Sequence, residues 1–186
     1  MTRYLVLLRG INVGGRNNVP MATLRELLES HGHTRVSTYI ASGNVILSSD
    51  KTAATIKREL EEALPGTFKL DSDLITVLVQ TRAQLRAIVR DRPKGFGDHP
   101  DTYHSDLVFL MGIDASTAMK VFDPRPGVDE VSPGEAVIYS QRLSAQRTKS
   151  RLGKIVGTPA YKSMTVRNWA TTTALLERME APEEGA

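Results

Sequence analysis

The order of apolar segments in the first 80 residues most limits how this chain can fold. Tyr4-Leu5-Val6-Leu7-Leu8-Arg9 reads as a buried strand, and it runs into a glycine- and asparagine-rich loop over 10–18. A helix follows, with Pro20 near its first turn, Met21, Leu24, Leu27 and Leu28 on one face, and Gly32 just past its end. Residues 36–40 and 45–47 flank a break at Ser42-Gly43-Asn44, which reads as strand, turn, strand. Asp50 is placed to cap a second helix. Its stripe is Ala53, Ile56, Leu60, Ala63 and Leu64, and Pro65-Gly66 is expected to end it. Residues 74–79 form another strand. The order βαββαβ is that of the ferredoxin-like unit, an antiparallel sheet with two helices on one face.

The remainder reads as a loose echo of that unit. Thr81 is placed to cap a short helix carrying Leu85, Ile88 and Val89. A loop over 92–104 leads to a strand at 107–111, a short helix at 115–121 and a hairpin over 130–139. Helices are expected around 150–156 and 166–179. The expected class is therefore α+β: two ferredoxin-like α/β subdomains with antiparallel sheets, plus a C-terminal helix. The subdomains are expected at residues 1–80 and 81–186. A length of 186 residues suits one domain or two small packed ones. The acidic tail over 180–186, with Pro182, is expected to fray.

Composition removes several chemistries. The chain has no cysteine, which excludes disulfides, thiolate catalysis, iron–sulfur clusters and cysteine-type zinc sites. The apolar run Leu5-Val6-Leu7-Leu8 is broken at once by Arg9 and Gly10, too early for a signal peptide or a membrane span. The expectation is a cytoplasmic protein with no membrane partner.

Charge is distributed unevenly. From 136 to 176 there is no Asp or Glu, while Arg142, Arg147, Lys149, Arg151, Lys154, Lys162 and Arg167 all fall in that stretch. The net charge is +3, so the rest of the chain is net negative. Such asymmetry points to an anionic partner, or to a basic face that meets acidic residues elsewhere in the chain.

Four segments carry candidate chemistry. In the loop Arg9-Gly10-Ile11-Asn12-Val13-Gly14-Gly15-Arg16-Asn17, between strand and helix, backbone N–H groups and a helix N-terminus could meet a phosphate or carboxylate. Gly10 and Gly15 have P-loop spacing. However, Arg16 replaces the phosphate lysine and Asn17 the Ser/Thr that would hold magnesium, which argues against an NTPase. Glycines that only permit a tight turn remain the other reading. Ser42-Gly43-Asn44 reads first as a turn, with Ser42 and Asn44 bonding the backbone. Asp98, His99, Asp101, His104 and Asp106 match no metal-ligand spacing, so no metal site is assigned. The fourth segment is basic: Lys149, Arg151 and Lys154, then Thr165-Val166-Arg167-Asn168-Trp169. Thr165 is expected to cap the last helix, with Arg167 and Asn168 in its first turn and Arg167 sharing a face with Thr171. Trp169 is expected in the core. Two helices around a basic connection would suggest helix-turn-helix, though the connection is long for that motif.

Three strings together resemble one family: Leu7-Leu8-Arg9-Gly10-Ile11-Asn12-Val13-Gly14-Gly15, Tyr39-Ile40-x-Ser42-Gly43-Asn44, and Thr165-x-Arg167-Asn168-Trp169-x-Thr171. They are similar to a bacterial family catalogued as domain of unknown function 1697. The resemblance spans nearly the whole chain and implies two ferredoxin-like α/β subdomains. It implies no activity, and the cofactor stays unknown. Ala41 stands where many members are expected to carry glutamine, and Arg16 where lysine is common.

The leading functional expectation is a binding protein for an anionic, phosphate-bearing ligand, nucleic acid being one candidate. Arg9, Gly10, Asn12, Gly14, Gly15, Arg16 and Asn17 would supply N–H and guanidinium donors, with Ser42 and Asn44 beside them. Lys149, Arg151, Lys154, Arg167 and Asn168 would supply counter-charge and further donors. One alternative is a small-molecule enzyme acting on an anionic substrate in a cleft between the subdomains. The other is a protein-interaction module without catalytic activity.

Overall fold

The computed structural model describes residues 1–70 and 75–182. Contacts divide the chain into two compact units, Met1–Leu85 with Leu175–Ala186, and Arg86–Ala174.

The first unit contains β1 (Thr2–Arg9), α1 (Met21–Ser30), β2 (Thr34–Tyr39), β3 (Asn44–Ser49), α2 (Ala53–Thr67) and β4 (Thr76–Thr81). The strands form one antiparallel sheet in the order β2-β3-β1-β4. β1 is paired along both edges, and Tyr4 to Leu8 are all buried, so both its faces are covered and it reads as a continuous apolar run rather than an alternating one. Tyr4, Val6 and Leu8 join Leu24 and Leu28 of α1 and Ile56, Leu60 and Leu64 of α2 in one core. Both helices therefore cover the same face, as the βαββαβ order requires.

Three local expectations are corrected here. Thr52, not Asp50, caps α2: its Oγ1 accepts the Thr55 N–H at 3.2 Å. Asp50 instead meets the N-terminal ammonium at 3.3 Å. α2 continues through Pro65 to Thr67. The proline removes only one bond near the end of the ladder, and Leu64 and Phe68 stay in the core. The strand expected over 74–79 is described from Thr76 to Thr81. Leu74 lies outside the described residues, as does the acidic tail beyond 182.

α3 (Arg82–Arg90) opens on a capping box: Thr81 Oγ1 accepts the Gln84 N–H, and Gln84 Oε1 accepts the Thr81 N–H at 2.8 Å. The second unit then contains β5 (Tyr103–Leu110), α4 (Ala115–Met119), β6 (Asp129–Gly134), β7 (Val137–Leu143) and β8 (Met164–Asn168), and α5 (Trp169–Glu180) begins there. Its sheet order, β6-β7-β5-β8, repeats that of the first sheet strand for strand. Three 3₁₀ segments, Ser144–Lys149, Leu152–Gly157 and Pro159–Ser163, stand where the second helix of the unit would be. Ile155 from the middle one packs with Val108, Leu110, Ala118, Ile138 and Met164.

The second half departs from expectation in its secondary structure. The helix expected at 150–156 is 3₁₀, because Gly153, Gly157 and Pro159 interrupt any longer ladder. β5 starts at Tyr103 rather than 107, since polar residues 103–106 continue the pairing with β7. α4 ends two residues early, at Met119. The largest correction is at 164–168, which is strand, not helix. The open edge of β5 is filled by these residues, with Leu107 opposite Arg167 and Phe109 opposite Thr165. Thr165 is thus no cap. Asn168 caps α5 instead, its Oδ1 accepting the Thr171 N–H at 2.7 Å. Arg167 and Thr171 share no helix face, and helix-turn-helix is left with α5 alone, since 3₁₀ segments and a strand stand where its first helix and turn would be.

Candidate functional site

The loop after β1 is a miniature hairpin. Gly14 (φ 59°) and Gly15 (φ 75°) occupy its two central positions, both left-handed as a tight type I′ turn demands. The Arg16 N–H donates to Val13 O at 3.1 Å and the Asn12 N–H to Asn17 O at 3.0 Å. Asn12 and Asn17 are themselves left-handed, a conformation asparagine tolerates well. Asn12 Nδ2 donates to Val19 O at 2.9 Å and Ala41 O at 2.8 Å, and Oδ1 accepts the Val19 N–H at 2.8 Å. Both of its N–H donors are taken by the backbone. Asn17 is buried and donates to Gly10 O at 2.8 Å.

The turn between β2 and β3 is tied to this hairpin. Asn12 reaches Ala41, and the Leu8 N–H donates to Gly43 O at 2.8 Å. Asn44 is fully buried and donates to Tyr39 O at 3.0 Å and Ser42 Oγ at 2.9 Å. The structure thus brings together the first two candidate segments. Arg9, at the end of β1, is half-buried.

Beside the hairpin lies a wide-open cavity of about 530 Å³. Asn12, Gly15, Arg16 and Asn18 line one part of it, and Val19, Pro20, Met21 and Ala41 the rest. Arg16 is exposed, with no ion pair to its guanidinium among the described residues. Pro20, the N-cap of α1, makes no side-chain capping bond, and the first turn carries no acidic residue. Neither the N-cap nor the first turn therefore supplies a side chain that offsets the positive end of the α1 dipole.

The remaining candidates belong to the second unit. Arg151 Nη1 and Lys154 Nζ each lie 3.2 Å from Asp123 Oδ2, so both cations already have a carboxylate partner. The Arg151 N–H donates to Asp129 Oδ2 at 2.8 Å, and the Arg125 N–H to the same oxygen at 2.9 Å. Burial works to raise the Asp129 pKa, but the Arg151 N–H, the Ser150 hydroxyl and the Arg125 N–H outweigh it and hold the carboxyl below its ordinary value. Lys149 is exposed, as are Arg147 and Lys162. Arg167 is buried in the sheet, its Nη1 donating to Thr165 Oγ1 at 3.0 Å and Val166 O at 2.8 Å, and burial lowers its pKa to about 10. Asn168 is exposed but its Oδ1 serves the α5 cap. Trp169 sits edge-on to Phe96 at 5.4 Å, with the Arg92 guanidinium 5.2 Å from its ring centre.

Among the described residues no group of three or more His, Asp or Glu could hold a metal ion. His104 and Arg142 both pair with Asp106 instead, at 3.1 and 3.4 Å. Sequence reasoning missed Asp123 and Asp129, which lie 28 and 22 residues before Arg151 and share no spacing pattern with it. It also missed the group formed by buried His33 and Ser49 with half-buried Lys51 and Glu59. There His33 Nδ1 lies 3.1 Å from Ser49 Oγ and Lys51 Nζ 2.8 Å from Glu59 Oε2.

The class defined by these features is an α+β protein of two like-ordered antiparallel sheets, the first carrying a paired glycine-asparagine loop. A family model, "Protein of unknown function (DUF1697)", matches residues 1–139, and the chain belongs to that family. The matched stretch contains the strings at 7–15 and 39–44; the string at 165–171 lies beyond it. A conserved bacterial protein from Streptococcus pneumoniae, of known structure, is similar at 26% identity with a TM-score of 0.82. The alignment covers 96% of this chain and 99% of that one. No curated protein matches the sequence. No helix among the described residues is long and apolar enough to cross a membrane.

Proposed function

We propose that this protein binds an anionic, phosphate-bearing small molecule at the hairpin cavity of the first unit. The observation that carries this reading is the cavity of about 530 Å³ in which Arg16 meets the uncapped first turn of α1. A helix N-terminus offers roughly half a positive charge and free N–H donors, and a guanidinium adds bidentate donors suited to phosphate. The lining holds no His, Asp, Glu, Lys, Ser or Tyr. It therefore lacks a side chain that exchanges protons near neutral pH, which favours binding over catalysis.

The test is an NMR titration with inorganic phosphate at low and high salt, following the amides of Gly14, Gly15, Arg16 and Met21. Saturable shifts that weaken with salt are expected. Arg16→Ala should weaken binding by roughly tenfold or more, the scale of one lost hydrogen bond to a charged group. Absence of shifts at low salt overturns the proposal.

A second reading has its own observation. Arg147, Lys149 and Lys162 are exposed in the 3₁₀ region of the second unit, with no carboxylate partner among the described residues. This favours a polyanion such as nucleic acid over a compact ligand there. Oligonucleotide anisotropy at two salt concentrations, with charge reversal at those three residues, tests it. Affinity that depends neither on salt nor on the reversal removes nucleic acid.

A further inference from the structure

We infer that the ligand of the hairpin cavity is amphipathic: a phosphomonoester whose ester group is compact and apolar, branched or planar. The inference rests on the anion reading above and narrows its chemistry. Size is the first argument. About 530 Å³ falls in the range of roughly 300–1,000 Å³ typical of sites for organic ligands, far more room than a bare phosphate needs. The second is the lining. Arg16 and the asparagines suit an anion, but Val19, Pro20, Met21 and Ala41 offer an inorganic ion nothing.

The two loops that carry part of the lining also expose apolar side chains. Val13 is 68% exposed and Ile40 54% exposed, large apolar side chains in open solvent. They adjoin Asn12 and Ala41, two lining residues joined by a 2.8 Å hydrogen bond, so they stand on the same pair of loops. Ile40 is left-handed at φ 50°, a conformation that a β-branched residue rarely adopts. Within the fold that strain gains no burial for the side chain. An apolar group of a ligand lying over Ile40 and Val13 would supply it. Strain of this kind collects where a surface is shaped for recognition. The bonds of Asn12 and Asn44 already fix both loops, so little ordering remains to oppose binding.

Charge sets the sign of the ligand. Arg16 lines the cavity, and its lining holds no carboxylate. A cationic amphiphile would meet repulsion, and an anionic one attraction.

The experiment compares inorganic phosphate with phenyl phosphate by the same NMR titration, on the full chain. Three variants accompany it: Arg16→Ala, the double substitution Val13→Ser with Ile40→Ser, and Ile40→Gly. The serine pair removes apolar surface from exposed positions. Glycine is at ease at φ 50°, so Ile40→Gly removes the side chain while relieving strain, and a loss of affinity there is not a folding defect. Phenyl phosphate is expected to bind at least tenfold tighter than phosphate. The serine pair and Ile40→Gly should erase most of that advantage and leave phosphate affinity unchanged, while Arg16→Ala weakens both ligands alike. Equal affinities for the two ligands overturn this inference and leave the anion reading standing. Binding of neither ligand removes both.

Discussion

Replacing Gly43 by alanine tests whether the two loops are locked as the structure indicates. A methyl group there would lie 2.9 Å from Leu8 Cβ, 2.9 Å from Ile11 Cδ1 and 3.1 Å from Ile11 Cγ1. Leu8 Cβ is fixed to the central strand and cannot swing aside; Ile11 is buried at 2% exposure. Gly43 also adopts φ 75°, which costs an L-residue about 1–2 kcal/mol. Overpacking adds about 1–3 kcal/mol, for a total of roughly 2–5 kcal/mol. Gly14→Ala is the control. At φ 59° it suffers the same backbone penalty, but no atom lies within 4 Å of its Cβ. The difference between the two variants isolates the packing term. Urea unfolding followed by far-UV circular dichroism reads it, because the sole tryptophan lies in the other unit. With a slope of about 1–3 kcal/mol/M, the Gly43→Ala midpoint should fall by roughly 1 M or more. If Gly43→Ala destabilises no more than Gly14→Ala, the close approach of this turn to β1 is not a constraint and the reasoning fails.

Four other outcomes are expected. Burial, aided by the Lys51 charge and opposed by Glu59, holds the His33 pKa below its ordinary value. The unfolded chain then takes up the proton first, so stability is full above about pH 6.5 and is lost as pH falls below it. Thermal melts between neutral pH and about pH 5 should show that slope in the wild type and a smaller one in His33→Gln; equal slopes refute it. Gly97→Ala would put a methyl group on the Trp169 indole, so tryptophan emission should shift to the red, and an unchanged spectrum contradicts that packing. Asp129→Ala removes the acceptor of the part-buried N–H groups of Arg125 and Arg151 and should cost about 1–3 kcal/mol in urea unfolding, whereas no measurable loss would show them otherwise satisfied. Asp123→Asn releases Arg151 and Lys154, so oligonucleotide affinity should rise and its salt dependence steepen by about one to two in log–log slope; no change argues against the polyanion reading.

The first half of the chain was legible because its signals are local and agree. The continuous apolar run of β1 and the stripes of α1 and α2 are the residues that the structure buries. The second half obeys the same sheet order, yet its signals are decided by distant partners. Thr165-Val166-Arg167-Asn168 precedes a helix and looks like a cap and first turn, but the unfilled edge of β5 draws it into the sheet. Likewise Leu152 and Ile155 look like a helical pair, and each is buried, though from a 3₁₀ turn. The charge asymmetry was legible as composition and misleading as a surface. Asp123, outside the acid-free stretch, pairs with Arg151 and Lys154, so part of the positive field is spent internally.

The two loop strings are better understood as instructions for shape than as lists of ligands. Gly14 and Gly15 make the turn, Asn12 and Asn17 hold the hairpin, and Asn44 and Gly43 fit the second loop against Leu8 and Ile11. Removing those roles leaves a short remainder. Arg16, Val13 and Ile40 are exposed, and none of their side chains is needed to close a turn. The fold fixes two loops with amide side chains, packs them on Leu8 and Ile11, and leaves a cation and two apolar side chains of those loops exposed. Rigid, partly apolar and basic surfaces lower the ordering cost of binding an anion with an apolar body. Function at this end of the molecule is therefore to be sought in the residues that shape does not require, and the serine and glycine substitutions at 13 and 40 address those residues without disturbing the ones that it does.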